Sequence, residues 1–427
     1  MKKEYDIVIA GAGVAGLIAA GRAAELGARV LVLEKMPRPG IKLLITGKGR
    51  CNITNTATIA ESVQYIHPNG RFAKHAFSQF FSNDIIGLLK EFGVETTTER
   101  GGRVFPVSNK AVDVLNALLE KAKKHNAEIR YNCKVEKLLV VNGIVSGLEI
   151  VKNDKKEQVP AKNVMICTGG KSYPTTGSTG DGYLLAESAG HSIIPVRPAL
   201  VPLVTEGNMA EQLQGLALKN VKAIVWINGK KQQEDFGEML FTHFGLSGPI
   251  ILTLSRRVVD ELQNKNKVEI TIDLKPALDE QKLDNRLLRD LNEHGKKNMD
   301  NIFKLWLPSK LVPLFIEKSG VAAEKKGHQV TAEERRKIKM LMKELRFKVT
   351  GFRPFKEAII TAGGVPTEEI DSKTMQSKLI KNLYFAGEII DLDADTGGFN
   401  LQIAYSTAWL AAQSCVQSLK SYLNANI

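Results

Sequence analysis

The chain begins with two short apolar runs that flank a helical pattern. Residues 5–10 form the first run, residues 14–26 place apolar positions at helical spacing, and residues 28–33 form the second run. A short apolar run predicts a buried strand, and apolar positions three and four residues apart predict a helix. The start of the chain therefore predicts a βαβ unit with two parallel strands.

The next part of the chain predicts two helices followed by four strands. The helical patterns cover residues 71–92 and 109–125, and Ser108 and Asn109 are residue types that cap a helix N-terminus. Asn142-Gly143 is typical of a two-residue hairpin turn between strands. The four strand patterns cover residues 128–131, 135–141, 145–151 and 158–167.

The pattern changes after Gly190 and changes back near the end of the chain. Strand-like runs at 223–227 and 268–272 precede a charged helical pattern over residues 276–348, and strand character returns at 358–361 and 383–386 before a last helix at 400–423. We interpret this order as one nucleotide-binding α/β domain with a two-part insertion. The predicted parts are 1–194 and 361–427 for the α/β domain, 195–275 for a β-rich insert, 276–346 for a helical insert, and 347–360 for a return strand of the β-rich insert.

Composition narrows the class of protein. The chain has 427 residues, of which 43% are hydrophobic, and this favours packed domains over a disordered chain. Its four scattered cysteines form no CxxC pair, which argues against a disulfide scaffold or a zinc cluster and favours a reducing cytoplasm. No apolar run reaches the roughly 18 residues of a membrane span, and Glu4 and Asp6 interrupt the start where a signal peptide would be apolar. The net charge of +13 fits either a nucleic-acid partner or an anionic cofactor.

A glycine motif gives the βαβ unit a chemical role. Residues 11–16, GAGVAG, match G-x-G-x-x-G between the predicted strand and helix. In that position the glycines allow a tight turn, a close approach to a pyrophosphate and close packing of the helix, whose N-terminus favours phosphate. Glu34 ends the second strand, where a carboxylate can accept hydrogen bonds from both ribose hydroxyls and repel a 2′-phosphate.

A second glycine-rich loop favours FAD over NAD. Residues 46–52, TGKGRCN, follow Lys42 and alternate glycines with basic and hydroxyl residues, as a loop around a second anionic diphosphate segment would. A solvated basic loop is the alternative interpretation. Cys51 has no neighbouring cysteine, so a packing role is favoured over redox chemistry.

Two further glycine motifs follow predicted strands. Thr168-Gly169-Gly170 ends one strand, at the edge where open α/β sheets bind cofactors. Gly387-Glu388 ends another and can hold a ribityl hydroxyl, while Gly397-Gly398 can direct helix N–H groups at the pyrimidine edge of a flavin. The acids at 391, 393 and 395 lack the remaining residues of a calcium loop, so no metal site is predicted. The chain contains no second G-x-G-x-x-G motif, and no resident NAD(P)H domain is predicted.

These motifs together resemble a known group of flavoproteins. GAGVAG with Glu34, CTGGKSYPTTGSTGDGY and LYFAGEIIDLDADTGGFNLQIAYSTAW resemble the two-dinucleotide-binding-domain flavoproteins. Within these, TGKGRCNITN, LFTHFGLSGPIIL and DTGGFNLQ resemble bacterial NAD(P)/FAD-dependent oxidoreductases related to aminoacetone oxidases and to a bile-acid-pathway reductase. The resemblance covers nearly the whole chain. It implies an α/β fold with a glutathione-reductase-type, Rossmann-like domain for non-covalent FAD, a β-barrel-like insert and a small helical insert.

The motifs and the resemblance predict a set of FAD-binding residues. Val135 belongs to it only through the resemblance, as a backbone contact to adenine. The set is Gly11, Gly13, Val14, Ala15, Gly16, Glu34, Lys35, Lys42, Thr46, Gly47, Gly49, Arg50, Cys51, Asn52, Val135, Thr168, Gly169, Gly170, Gly387, Glu388, Asp395, Gly398, Phe399, Asn400 and Leu401.

Two residues are candidates for handling protons. His243 lies in FTHFGLSGP on the β-rich insert, and a histidine can give or take a proton near neutral pH. Tyr173 follows the Thr-Gly-Gly motif and is a candidate aromatic wall or proton donor. For both, a structural role is the alternative.

The sequence leaves more than one function open. It favours a cytoplasmic FAD-dependent oxidoreductase, of the NAD(P)H reductase or amine oxidase type, that transfers hydride between FAD and a small-molecule substrate or NAD(P)H. The alternatives are a tRNA- or RNA-modifying flavoprotein, because the C-terminal motif resembles that of flavoenzymes acting on tRNA uridines, and a non-catalytic redox sensor. The helical insert carries 17 Lys plus Arg against 11 Asp plus Glu over residues 276–348. Its residues Arg336, Lys339 and Lys343 share a helix face that could bind RNA or a nicotinamide dinucleotide, or could simply be solvated.

Overall fold

The computed structural model describes residues 4–424, without the side chains of 421–424. The chain divides into two compact units. The first contains Met1–Pro198 and Ala358–Ile427, and the second contains Ala199–Glu357. Each unit has its own cluster of buried apolar side chains, so each has its own hydrophobic core.

The strands of the described residues are between two and thirteen residues long. Their bounds are β1 Tyr5–Ala10, β2 Val30–Leu33, β3 Thr54–Asn55, β4 Ile66–His67, β5 Thr96–Glu99, β6 Arg103–Pro106, β7 Glu128–Arg130, β8 Lys134–Val141, β9 Ile144–Lys152, β10 Lys155–Ile166, β11 Ile194–Ala199, β12 Leu203–Thr205, β13 Ala217–Ile227, β14 Lys230–Thr242, β15 Gly245–Ser247, β16 Val268–Asp273, β17 Leu345–Phe352, β18 Ile360–Gly364, β19 Leu383–Phe385 and β20 Asp393–Ala394.

The α-helices occupy both units. Their bounds are α1 Val14–Glu25, α2 Ile41–Ile45, α3 Ile59–Ser62, α4 Lys74–Gln79, α5 Ser82–Glu91, α6 Ala111–Lys124, α7 Asp181–Ser188, α8 Met209–Gln212, α9 Pro249–Gln263, α10 Glu280–Glu293, α11 Met299–Trp306, α12 Val312–Ser319, α13 Ala332–Lys343 and α14 Phe399–Asn424. No α-helix among the described residues is both long enough and apolar enough to cross a membrane.

A seven-stranded sheet organises the first unit. Strand β1 lies between β2 and β10, all three are parallel, and β7 and β19 extend the parallel part. The first half of β10 pairs antiparallel with β9, which pairs with β8. Strands β1 and β2 are nearly fully buried, which explains their continuous apolar runs. The predicted βαβ unit is therefore the centre of this sheet.

A closed antiparallel barrel forms the β-part of the second unit. Its strand order is β12, β15, β14, β13, β16 and β17. Buried and exposed positions alternate along β13 and β17, as expected where one face of a strand lines the barrel interior. Helices α10 to α13 lie between β16 and β17 in sequence, and α10 buries Leu283, Leu287 and Leu291 at intervals of one turn.

Two local predictions were wrong, and one strand was not predicted. The helix predicted over residues 71–92 is interrupted because Phe80 is extended, stacks on Trp409 at 4.3 Å and offers its carbonyl to Ser406 of α14. Neither Ser108 nor Asn109 is the N-cap of α6, which is Lys110. Strand β14 was not predicted because polar side chains occupy most of its exposed positions.

A buried histidine joins three separate parts of the first unit. His191 follows α7, and its Nδ1 lies 2.7 Å from Glu369 while its Nε2 lies 2.8 Å from Ser377 Oγ. Ser377 Oγ also accepts hydrogen bonds from the N–H groups of Leu379 and Ile380. The hydroxyl proton of Ser377 is thus directed to Nε2, and Nδ1–H donates to Glu369, which requires a neutral ring. Burial lowers the pKa of His191, in agreement with this arrangement.

We expect this histidine to make the stability of the protein depend on pH. The folded ring resists protonation, whereas the unfolded chain protonates near the ordinary value of 6.5. The unfolded state therefore binds more protons below that pH, and the free energy of unfolding falls by up to about 1.4 kcal/mol per pH unit. Urea unfolding between pH 7.5 and 5 should show a smaller pH slope for His191→Gln than for wild type. A slope in His191→Gln equal to that of wild type would contradict the assignment.

Candidate FAD-binding site

The turn between β1 and α1 forms a cradle in which Gly11 and Gly16 leave no room for a side chain. Gly11 has a φ of +100°, and its N–H donates to the carbonyl of Leu33 at 2.8 Å. A Cβ on Gly16 would lie 1.9 Å from the carbonyl oxygen of Gly11, so the helix start and the turn touch backbone to backbone. A Cβ on Gly13 would meet no atom within 4 Å. Helix α1 has no acidic residue in its first turn and no side-chain cap, so its N–H groups are available to phosphate.

Glu34 is fixed beside this cradle. Its two carboxylate oxygens accept hydrogen bonds from the N–H groups of Ala12 and Met36, both at 2.8 Å. The residue is 9% exposed, and its own N–H donates to the carbonyl of Arg130 in β7. The acid is therefore held at the end of β2, where the ribose of a bound dinucleotide would lie.

The loop from α2 to Asn52 turns sharply, and some of its side chains are bound to other side chains of the protein. Lys42 forms an ion pair with Glu388 at 2.6 Å. Arg50 pairs with Glu99 at 2.5 Å and lies over the ring of Phe105 at 4.2 Å, so its guanidinium already has protein partners. In the same loop, the hydroxyl of Thr46 donates to the carbonyl of Leu43. Both Gly47 and Gly49 adopt left-handed conformations. The buried Oδ1 of Asn52 has no hydrogen-bond partner within residues 4–424.

Cys51 is a packing residue in this structure. It is fully buried, and burial raises the pKa of its thiol to about 12. The other three cysteines are also buried. A thiol that stays protonated is neither a nucleophile nor a redox group near neutral pH.

We therefore expect Cys51→Ala to leave flavin content and the rate of flavin reduction within about two-fold of wild type. Its cost should be loss of packing, roughly 1 kcal/mol of unfolding free energy. Absorbance of the purified protein, stopped-flow reduction and urea unfolding measure the three quantities, with Cys133→Ala as the matched buried cysteine. A large loss of reduction rate at unchanged flavin content would instead indicate a chemical role for the thiol.

Thr361 joins two of the predicted glycine motifs and was not predicted from the sequence. Its Oγ1 accepts the N–H groups of Lys171 and Ser172 at 2.8 and 3.1 Å, immediately after Gly169-Gly170. Its own N–H donates to Glu388 at 2.8 Å. The only sequence signal was that Thr361 lies in an apolar strand before Gly363-Gly364. Beside this network, the buried Oγ1 of Thr168 has no partner in the described part of the chain.

The C-terminal motif lies against the cradle. The N–H of Gly387 donates to Thr407 of α14, and a Cβ on Gly387 would come within 3.0 Å of Ala15 in α1. Gly398 packs against the carbonyl of Thr54, and the amide of Asn400 holds both backbone groups of Ala394. The predicted residues of both sequence ends are thus brought together, including Asp395, Phe399 and Leu401 around the start of α14.

The remaining predicted residues differ in their surroundings. Lys35 forms an ion pair with Asp181 at 2.6 Å and also contacts Thr179. Val135 lies in β8 opposite Ile150. Tyr173 is half-buried in a left-handed conformation before Pro174. His243 is exposed in the β14–β15 hairpin of the second unit, with its ring against Phe244 at 4.9 Å, and its role stays a prediction.

The cationic face predicted on the helical insert is not free. Lys339 pairs with Glu280, and Lys343 pairs with Asp273 at 2.5 Å; both side chains are less than 20% exposed. Arg336 has no ion pair among the described residues. The sequence shows the basic residues of α13. It does not show that Glu280 of α10 and Asp273 of β16 form ion pairs with them.

The first unit is suited to hold FAD. A dinucleotide would fill the open space at Gly13 and would contact the fixed carboxylate of Glu34. It would also supply partners for the buried oxygens of Asn52 and Thr168, which have none among the described residues. Together with the parallel sheet and the closed barrel, these features define a Rossmann-type FAD flavoprotein.

The chain belongs to the HI0933-like family, since the family model described as "HI0933-like protein Rossmann domain" matches residues 5–414. It is 31% identical over 420 residues to the "Ribosomal RNA dihydrouridine synthase" of Escherichia coli (strain K12), covering 98% of this chain and 100% of the relative. It is 29% identical over 413 residues to the "3-dehydro-bile acid delta(4,6)-reductase" of Clostridium scindens, covering 96% and 99%. The apo Sdh1 complex of Mycobacterium smegmatis has a TM-score of 0.53 at 18% identity, covering 98% of this chain and 69% of that one, and shares the fold alone. These findings confirm the predicted family, the FAD-binding fold and an oxidoreductase function.

Proposed function

We propose that this protein is an FAD-dependent reductase that saturates a carbon–carbon double bond of uracil in ribosomal RNA, with a reduced nicotinamide dinucleotide as hydride donor. The observation that carries the proposal is the extent of the likeness. The relatives named as ribosomal RNA dihydrouridine synthases, from Escherichia coli and Haemophilus influenzae, match at 31% and 30% identity over almost all of both chains. The match thus includes the barrel and helical insertions as well as the FAD-binding motifs. The net charge of +13 also suits an RNA partner.

The arrangement around the start of α14 supports reduction chemistry. When bound, FAD supplies a hydride from its reduced form. Gly397-Gly398 opens a helix of 26 residues with no acid in its first turn, so positive potential accumulates where the sequence places the flavin pyrimidine. Thr361 and Lys42 fix the two oxygens of Glu388 beside the strand end, and this holds the acid for a ribityl hydroxyl.

A small-molecule reductase is the second candidate. The full-length relative from Clostridium scindens is, by its name, a reductase of a bile-acid double bond. A dihydrouridine synthase and such a reductase share one reaction class, which is the addition of a hydride and a proton across a double bond.

The first experiment tests the electron donor. Anaerobic mixing of the FAD-loaded protein with NADH or NADPH should bleach the flavin absorbance. Bleaching only by amines, with peroxide formed on re-aeration, would indicate an oxidase and contradict the proposal.

The second experiment tests the acceptor. The loaded protein and nicotinamide are incubated with unmodified ribosomal RNA made by transcription, and nucleosides are analysed by mass spectrometry. We expect uridine to gain two hydrogen atoms. Gly13→Val, which should lack FAD, is the control for background reduction. A 3-oxo steroid with a conjugated double bond is tested in parallel, and reduction of the steroid alone would favour the second candidate.

A further inference from the structure

An exposed aromatic side chain and a partly exposed histidine lie beside the flavin-end motif. Tyr65 immediately precedes β4, and His67 ends it. The intervening Ile66 is buried, whereas Tyr65 is 43% exposed and the His67 side chain 36% exposed. Tyr65 is the last residue of a single 3-10 turn, Val63–Tyr65, and His67 is the last residue of β4. Both side chains reach solvent, one on each side of the buried Ile66 in the sequence.

Tyr65 has one face of its ring available. The other face stacks on Phe399, with ring centroids 4.7 Å apart and planes 15° apart. Phe399 is only 5% exposed, so the exposure of the pair belongs to Tyr65. Because Phe399 is the first residue of α14, directly after Gly397-Gly398, the open ring face lies next to the motif that directs N–H groups to the flavin. An exposed aromatic of this kind is a stacking surface for a nucleobase.

Asp395 lies beside His67 and donates a hydrogen bond to the backbone of Tyr65. The carboxylate of Asp395 lies 3.5 Å from His67 Nε2, and its N–H donates to the carbonyl of Tyr65 at 3.0 Å. Strands β4 and β20 pair antiparallel, with Asp393 opposite His67. Nδ1 of His67 has no hydrogen-bond partner within residues 4–424 and is the ring nitrogen available to a substrate.

Two unpaired cations follow on the same segment. Arg71 and Lys74 are exposed, three residues apart, and neither forms an ion pair with a described residue. This contrasts with α13, whose bases Lys339 and Lys343 are paired with acids. Free cations beside a stacking aromatic provide phosphate contacts next to a base contact.

We propose that residues 65–74 form the RNA-contacting segment of the active site, where Tyr65 stacks on the target uracil, His67 donates the proton, and Arg71 and Lys74 bind flanking phosphates. This rests on the proposed function. The C5=C6 double bond of uracil becomes a single bond as C6 takes a hydride from the reduced cofactor and C5 takes a proton from His67. The imidazole is left neutral and regains its proton from water, and a reduced nicotinamide dinucleotide restores the two electrons.

The stacking role is tested by binding, without turnover. Fluorescence anisotropy measures the Kd of the oxidised, FAD-loaded protein for a labelled ten-nucleotide oligouridylate at about 50 mM salt, where phosphate contacts are strong. We expect Tyr65→Ala to weaken binding about 10-fold, while Tyr65→Phe keeps it. Arg71→Gln and Lys74→Gln should weaken binding and reduce its salt dependence. Phe236→Ala, which removes an exposed aromatic of the second unit, should have no effect.

The proton-donor role is tested by separating binding from the chemical step. His67→Gln should bind oligouridylate within about two-fold of wild type, yet reduce uridine in the ribosomal RNA transcript about 100-fold more slowly in a single turnover. Flavin content should be unchanged, and His294→Gln should behave as wild type. If wild type reduces uridine, and Tyr65→Ala and His67→Gln bind and reduce RNA as well as wild type does, this assignment is overturned and the proposed function stands. A wild-type enzyme that neither binds nor reduces RNA overturns both.

Discussion

Gly13→Val should yield a folded protein that has lost its cofactor. The position has ordinary extended dihedral angles and no neighbour within 4 Å of a Cβ, so the side chain is accommodated in the protein without the ligand. The same space is where the pyrophosphate must approach the N-terminus of α1, and a valine there fills it. We expect FAD affinity to fall at least about 100-fold, which corresponds to about 2.7 kcal/mol.

Two measurements check this prediction. Urea unfolding of the apo proteins should give a free energy within about 1 kcal/mol of wild type, the small difference reflecting the N-cap position. Fluorescence titration with FAD should show the lost affinity, and Gly13→Ala should be intermediate. Stoichiometric FAD in purified Gly13→Val would mean that the phosphates lie elsewhere.

Gly16→Val should have the opposite outcome, loss of the fold itself. A Cβ at this position would lie 1.9 Å from the carbonyl oxygen of Gly11, and backbone atoms cannot move aside as a flexible side chain can. Relief would require α1 to separate from β1 at the centre of the sheet. We expect a loss of more than about 3 kcal/mol of unfolding free energy, beyond the usual cost of overpacking.

The matched control is a glycine in an unstrained helix. Gly87 lies in α5 with no atom within 4 Å of its Cβ position, so Gly87→Ala should stabilise the protein by roughly 0.5–1 kcal/mol. Soluble yield, circular dichroism and urea unfolding measure both variants. A soluble Gly16→Val with wild-type stability would show that the turn can open without cost.

The sequence predicted the parts of the site whose signals are local. The spacing of Gly11, Gly13 and Gly16, the acid at the end of β2 and the glycines before α14 each follow from contacts within one βα unit. The contact between these parts does not follow from local signals. Gly387 and Ala15 are far apart in the chain and are brought together by the packing of α14 on α1.

Tertiary contacts explain what the sequence did not reveal. Thr361 and Tyr65 carry no motif, and their contacts are with residues distant in the chain, Lys171 and Phe399. The helix predicted over 71–92 is broken by the stacking of Phe80 on Trp409, which no local pattern encodes. The free positive charge on α13 was overestimated for the same reason, since the acids that pair with its lysines lie on other elements.

The split first unit has a consequence for biosynthesis. The cradle at the start of the chain is completed by β18, β19 and α14, which are translated only after the entire barrel and helical insertion. The second unit has its own core and can fold while the ribosome is still adding residues, whereas the first 198 residues must wait for the last helix. FAD therefore binds late in synthesis. Until then, the apolar surface of α1 that packs on α14 in the folded protein is exposed. Until α14 has been made, this apolar surface is a site at which the nascent chain can aggregate.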